Sequence, residues 1–170
     1  MARGGTLEVI MLYRNEDFFQ VIGRISVFFS TWDLLTTLLT MRLVKRQTRL
    51  PVNFDRRTLP QKLRFLGELS APEVVDPDVL KEVKLELPAA LSVAGKRNRY
   101  IHDQWVFTPD LVRRGEISLL SIEVVMGSEG RTVNIPSQTL RLIDLQEFLQ
   151  QVGDKQKAFA AMVAHLPVSN

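Results

Sequence analysis

The stretch "FFQVIGRISVFFSTWDLLTTLLTMRLVKRQ", Phe18 to Gln47, decides the fold. Phe18, Val21, Ile22, Ile25, Phe28, Phe29, Trp32, Leu35, Leu39 and Leu43 recur at three- and four-residue steps, the spacing of one apolar face of an α-helix. Asn15 is the expected cap, and Glu16 and Asp17 place negative charge at the positive end of the helix dipole. The opposite side is apolar too, through Phe19, Val27, Leu34, Leu38 and Met41. A helix greasy on more than one side is central in a bundle or is covered by a second subunit. A membrane span is not expected. Arg24 and Asp33 interrupt the run, and no charge-free piece of it, Ile25 to Trp32 included, approaches the roughly 20 residues a span needs.

Working outward, Pro51 marks the end of this region. "RRTLPQKLRFLGEL" reads as a short second helix, with Thr58 as cap and Pro60 in the first turn. After the connector "SAPEVVDP", Asp76 and Pro77 open a third helix by the same logic. It runs toward Trp105, with a kink or break expected at Pro88. In "EISLLSIEVVM", Leu120, Ile122, Val124 and Met126 alternate. "GSEG" supplies turn glycines and "RTVNI" can return, so residues 116–135 read as a β-hairpin. Pro136 and Ser137 are the expected start of a last helix, with Leu140, Leu145, Phe148, Leu149, Val152, Phe159, Met162, Val163 and Leu166 as its apolar stripe. The fold class is therefore mainly α: an antiparallel bundle of about four helices with one β-hairpin inserted before the last.

The 170 residues fit one domain over 1–170, with 1–14 as an N-terminal segment. That segment lacks the apolar core of a signal peptide, so a cytoplasmic location is expected. With no cysteine, disulfides, cysteine-ligated zinc and a cysteine nucleophile are excluded. The two histidines, His102 and His165, cannot build a multi-histidine metal site in one chain, and no metal or cofactor is expected. His165 has no convergent polar neighbours in sequence, and Glu123 and Glu129 read as surface residues. The net charge of +3 is modest, but between Arg42 and Arg64 eight basic residues are opposed only by Asp55. Such a connector attracts polyanions, or is simply a solvated loop. Arg46, Arg49, Arg56 and Arg57 are its candidates for contact with RNA.

The densest polar stretch is "KRNRYIHDQW", Lys96 to Trp105. At about 100° per residue, Asn98 and His102 share a helix face, with Trp105 one turn on and Arg97 about 140° from His102. Arg97 offers a planar fork of donors suited to phosphate oxygens, and Arg99 adds charge. His102 can exchange a proton near neutral pH, Asn98 can orient the imidazole or the substrate, and Tyr100 or Trp105 can stack on a base. An equally definite structural reading has the arginines satisfying a helix C-terminus and Trp105 sealing the bundle.

"RNRYIH", Arg97 to His102, resembles the R-x(4–6)-H motif of HEPN domains, with Asn98 as the polar residue after the arginine. The longer "RNRYIHDQW" is similar to an RN-x-x-x-H-x-x-W variant in HEPN-like proteins that also carry a hairpin before the final helix. Asp103 stands where related sequences often have glycine. The resemblance implies an all-α bundle that forms a homodimer, the motifs of two subunits facing each other. It implies metal-independent RNA cleavage of the toxin or defence type, with an antitoxin or nucleotidyltransferase partner protein. Arg97 would hold the scissile phosphate, His102 would act as general base or acid on the 2′-hydroxyl, and Asn98 would position one of them. The products would carry 2′,3′-cyclic phosphates. Other members are inactive, so a non-catalytic helical dimer that binds a partner protein or nucleotide is the alternative.

Overall fold

A computed structural model of the protein describes residues 14–121, 123–127 and 130–167, without the side chains at 98, 99, 101, 102, 123–127 and 130–134. Most of the N-terminal segment, and Ser128 and Glu129 of the expected turn, lie outside the described residues. The described elements are, in order, α1 (Asn15–Leu43), α2 (Leu59–Glu68), α3 (Pro77–His102), β1 (Gln104–Val106), α4 (Pro109–Arg113), β2 (Glu116–Leu120), β3 (Glu123–Gly127), β4 (Gly130–Asn134), β5 (Ser137–Arg141) and α5 (Leu142–His165). The mainly α architecture with a β insertion before the last helix is as the sequence predicts.

The long stretch forms α1, and its three-four pattern goes inward. Phe18, Ile25, Phe29, Trp32, Leu39 and Leu43 are buried. The Phe29 ring meets Trp32 at 5.7 Å and Phe148 of α5 at 5.9 Å, and Trp32 meets Phe159 edge-on at 5.7 Å. Burying each such side chain stabilises the fold by about 1.5–3 kcal/mol. The polar residues within the run fit because their hydroxyls return to the helix. Thr36, Thr37 and Thr40 donate to the carbonyls of Trp32, Asp33 and Thr36 at 2.9, 3.0 and 2.8 Å. Arg14 rather than Asn15 is the cap, its N–H donating to the Asp17 carboxylate at 2.8 Å. The outer residues find no cover among the described residues: Val27, Leu34 and Met41 are 63%, 57% and 50% exposed.

Helix α5 runs in the same direction as α1. Phe148 lies beside Phe29, and the Arg42 guanidinium donates to the Val163 carbonyl at 3.1 Å. Helix α3 runs opposite to both, since Lys155 meets Glu86 at 2.6 Å while the Tyr100 ring meets Phe148 at 4.6 Å. Helix α2 starts as predicted, with Thr58 as cap and its N–H donating to Gln61 at 3.0 Å. It packs on α3 where Gly67 leaves room for Leu87: a Cβ at Gly67 would sit 3.0 Å from Leu87 Cδ1. The start of α3 is also as predicted, with the Asp76 carboxylate accepting from the N–H groups of Asp78 and Val79 at 3.0 Å.

Further expectations need correction. Pro88 does not break α3, which continues through it to His102. Pro88 and Lys84 are both exposed, so water can solvate the carbonyl that the missing N–H leaves behind. The helix also stops before Trp105, which lies in β1 opposite Leu119 of β2. Finally, Pro136 and Ser137 do not start the last helix. Residues 137–141 form β5, and α5 begins at Leu142. The hairpin is longer than expected and keeps one register: Glu116 faces Arg141, Leu120 faces Ser137, Glu123 faces Asn134 and Gly127 faces Gly130. The Ser121 N–H donates to the Pro136 carbonyl at 3.1 Å across the break between its two halves. The inner half joins β1 in an antiparallel sheet of order β1-β2-β5. This sheet caps the bundle end where α1 and α5 begin and α3 finishes, with Phe107 packed on Phe18 and Phe19. At the start of α5, Arg141 and Asp144 pair at 2.6 Å; the hydrogen bonds from Arg141 hold the Asp144 carboxyl below its ordinary pKa. No helix among the described residues is long and apolar enough to cross a membrane.

Candidate active site

The last turns of α3 meet α1, the start of α2 and the sheet. Arg97 is half-buried there, its guanidinium carbon 5.7 Å from the centre of the Phe29 ring. A cation over an aromatic face is attracted by the ring quadrupole. The Arg97 Nε–H has no hydrogen-bond partner and is shut off from solvent. Beside it lies a cavity of about 280 Å³ lined by Phe29, Ser30, Asp33, Thr58, Leu59 and Arg97.

The side chains of Asn98, Arg99 and His102 lie outside the described residues, but their backbone positions belong to α3. Leu87 marks the line of α3 that touches α2. Asn98 comes eleven residues later and His102 fifteen, about 20° and 60° around the helix from that line. Both positions therefore lie toward the α2 side of α3.

Trp105 is not on this helix face. Its indole Nε1–H donates to the Tyr100 carbonyl at 3.0 Å, satisfying one of the carbonyls that a helix C-terminus leaves without an intrahelical partner. The Trp105 ring stacks on Tyr100, centroids 6.1 Å apart and 20° between planes. Both rings are half-buried, so Trp105 closes the end of α3 rather than filling the core. Asp103 has a local task that a glycine could not perform: its carboxylate accepts a hydrogen bond from the Ser121 hydroxyl, tying the end of α3 to the hairpin.

No protein-family model matches this chain, and no curated protein or solved structure matches it.

The basic connector divides into two groups. Arg42 is bonded to the Val163 carbonyl, Lys45 donates to the Pro72 carbonyl at 2.7 Å, and Lys62 is 1% exposed and paired with Asp33 at 2.9 Å. Arg46, Arg49 and Arg56 are exposed and Arg57 is half-buried. Arg56 and Arg57 directly precede Thr58, a lining residue of the cavity, whereas Arg46 and Arg49 belong to the segment after α1. The sequence reading missed Asp33, Ser30 and Thr58 as walls of a site and counted Lys62 among the solvated cations. The available signal was Asp33 itself, a lone carboxylate in an apolar helix, which requires a partner when it sits near a core.

Proposed function

We propose that this chain is a HEPN-like, metal-independent endoribonuclease acting at the end of α3. The observation that supports this reading is the state of Arg97. Its guanidinium lies over Phe29, its Nε–H is left without a partner, and it borders a cavity on the helix that also carries Asn98 and His102. A guanidinium so placed can give its donors to a phosphate. In the proposed step the His102 imidazole takes the proton of a ribose 2′-hydroxyl, and O2′ bonds to phosphorus. The bond from phosphorus to O5′ breaks, and the leaving O5′ takes a proton from the His102 of a second copy. The products are a 2′,3′-cyclic phosphate and a 5′-hydroxyl. Incubation with mixed RNA in the presence of EDTA is the test. Cleavage with cyclic phosphate ends is expected, and cleavage that stops on chelation would overturn the reading.

His165 ends α5, at the opposite end of the bundle, so a second histidine at this site requires a second copy. A second copy also has an apolar stripe to cover on the outside of α1, where Val27, Leu34 and Met41 recur every seven residues with half-buried Leu38 beside them; this stripe lies about 140° around α1 from Phe29 and is a separate contact from one that pairs the two His102 positions. An antiparallel copy centred on Leu34 sets Val27 against Met41, and it turns the acidic start of α1 toward the basic segment after Leu43. Light scattering at micromolar concentration is expected to give a dimer mass, and Leu34→Glu a monomer. A monomeric parent protein would remove this part of the proposal. The same stripe favours the alternative, a non-catalytic dimer that binds a partner protein or nucleotide. A stable dimer that cleaves no RNA would select it.

If Arg46, Arg49, Arg56 and Arg57 hold RNA, binding weakens steeply with salt, and each phosphate contact contributes about 0.7 to the logarithmic slope for a single strand. Neutralising all four to glutamine is expected to lower that slope by about 2–3. An unchanged slope returns the connector to a solvated loop.

A further inference from the structure

A second cavity, of about 580 Å³, lies along the seam of α1 and α5, away from the Arg97 site. Seven of its lining residues come from α5 and recur at three- and four-residue steps from Gln146 to Ala160. They form one stripe along the helix, roughly 21 Å long at 1.5 Å per residue. Arg24 and Phe28 of α1 form the facing wall. Arg24 is nine residues from Asp33, about 180° around α1, so this groove and the Arg97 cavity open on opposite sides of that helix. Phe28 is about 100° from Val27, which places the groove beside the outer apolar stripe rather than on it.

The middle of the groove is apolar, through half-buried Phe28 and buried Leu149. Gly153 lets the Phe28 ring lie against α5: a Cβ there would sit 3.2 Å from Phe28 Cε2. Gln146, Gln150 and Gln156 supply amides along its length. A cation stands toward each end. Phe29 lies beside Phe148 on parallel helices, so Arg24, five residues earlier, is at the Gln146 end, while Lys157 is near Ala160. No carboxylate lines the groove. Arg24 is exposed, and its side chain has no hydrogen bond or ion pair among the described residues. Asp154, outside the lining, is 4.0 Å from Lys157, but both side chains are largely exposed, and such a pair holds a lysine weakly. Asp154 also accepts from Gln150 Nε2 at 2.8 Å, which leaves the Gln150 amide oxygen as an acceptor.

Three ligand classes use this groove poorly. A fatty acid answers one cation and leaves the other cation and the amides unused. An RNA strand carries a phosphate on every nucleotide and sets charge over the apolar middle. A helix arrives with its backbone already hydrogen-bonded and gives the amides nothing to pair with. An extended peptide brings unpaired backbone N–H and C=O groups, and a glutamine amide can accept from the one and donate to the other. At about 3.3 Å per residue, six or seven residues span the stripe. We infer that the α1–α5 groove binds an extended acidic peptide segment of a partner protein. Its apolar side chains lie over Phe28 and Leu149, with a carboxylate toward Arg24 at one end and toward Lys157 at the other. This goes beyond the ribonuclease reading and does not depend on it.

The probe is a fluorescein-labelled seven-residue peptide with a glutamate at each end and leucine, valine and alanine between, titrated with the full chain and read by fluorescence anisotropy. Saturable binding is expected. Replacing both glutamates by glutamine should weaken it roughly tenfold, the effect of losing two partly exposed ion pairs. Arg24→Glu should weaken it by a similar factor. Ala160→Trp, which fills the groove and leaves its charges in place, should weaken it about tenfold or more. Arg24 and Ala160 are both exposed, so these variants should keep the parent thermal midpoint. Gln150→Ala should cost about fivefold, the size of one hydrogen bond to the peptide backbone. Absence of saturable binding, equal binding of the neutral peptide, or unchanged binding in Ala160→Trp overturns the inference. Displacement of the probe by laurate or by a uridine hexanucleotide at lower concentration than by unlabelled peptide overturns it as well. Peptide binding by a protein that cleaves no RNA leaves the groove standing and removes the ribonuclease. Cleavage without peptide binding does the reverse.

Discussion

His102→Ala is expected to lower RNA cleavage by about 10²–10⁴-fold, the usual cost of removing a general acid or base. His102 is the last residue of α3, so its loss shortens no internal turn, and the thermal midpoint should stay close to that of the parent. Arg97 is different. Its guanidinium lies over Phe29 in the bundle, so Arg97→Ala should lose activity and some stability together. Arg97→Lys should rescue only part of the activity, because an ammonium keeps the charge but lacks the planar fork. The pair of phenotypes separates chemistry from packing. Activity lost with an unchanged midpoint at position 102 assigns a chemical role to the histidine. Cleavage that survives His102→Ala ends the proposed mechanism, and a large drop in midpoint for that variant makes the motif structural.

The sequence carried the helices well because their signals were redundant. In α1, periodicity, acidic first turn and length agreed. In α2 and α3, a capping residue and a proline in the first turn marked the start to the residue. The α4 helix, Thr108 followed by Pro109, carries the same signal on a shorter scale, with the Thr108 hydroxyl accepting from the Leu111 N–H at 3.4 Å. Pro136-Ser137 resembles that cap-and-proline pattern and misled the reading. What decided against a helix there is non-local: β2 is already formed, and residues 137–141 complete its hydrogen bonds in the register the hairpin has set. Trp105 failed for a related reason. Helical phase predicts a neighbour of His102 only while the helix lasts, and pairing with Leu119 ended it at His102. Of the site, the motif on α3 was legible as a local string. The walls were not, because Asp33, Thr58 and Arg97 come from three segments that only tertiary packing brings together.

Asp33→Ala is expected to destabilise the protein by about 3–5 kcal/mol, the cost of breaking a buried ion pair from one side. The asymmetry of the pair sets this figure. Lys62 is 1% exposed, so without Asp33 its ammonium has neither water nor a counter-charge. Asp33 is 39% exposed, and once Lys62 is gone its carboxylate can be hydrated. Lys62→Met should therefore cost much less, since it keeps the buried stem apolar and removes the charge that needs a partner. The double variant Asp33→Ala with Lys62→Met should recover most of the loss, because a buried pair replaced by apolar groups is often neutral. Urea unfolding of the four proteins measures the coupling directly. If Asp33→Ala costs no more than about 1 kcal/mol, the pair behaves as an exposed one and the buried setting of Lys62 is wrong. If the large cost appears and the double variant reverses it, Lys62 is the reason a carboxylate persists in the apolar stretch of α1. Asp33 then stands at the wall of the cavity because the buried Lys62 requires it there.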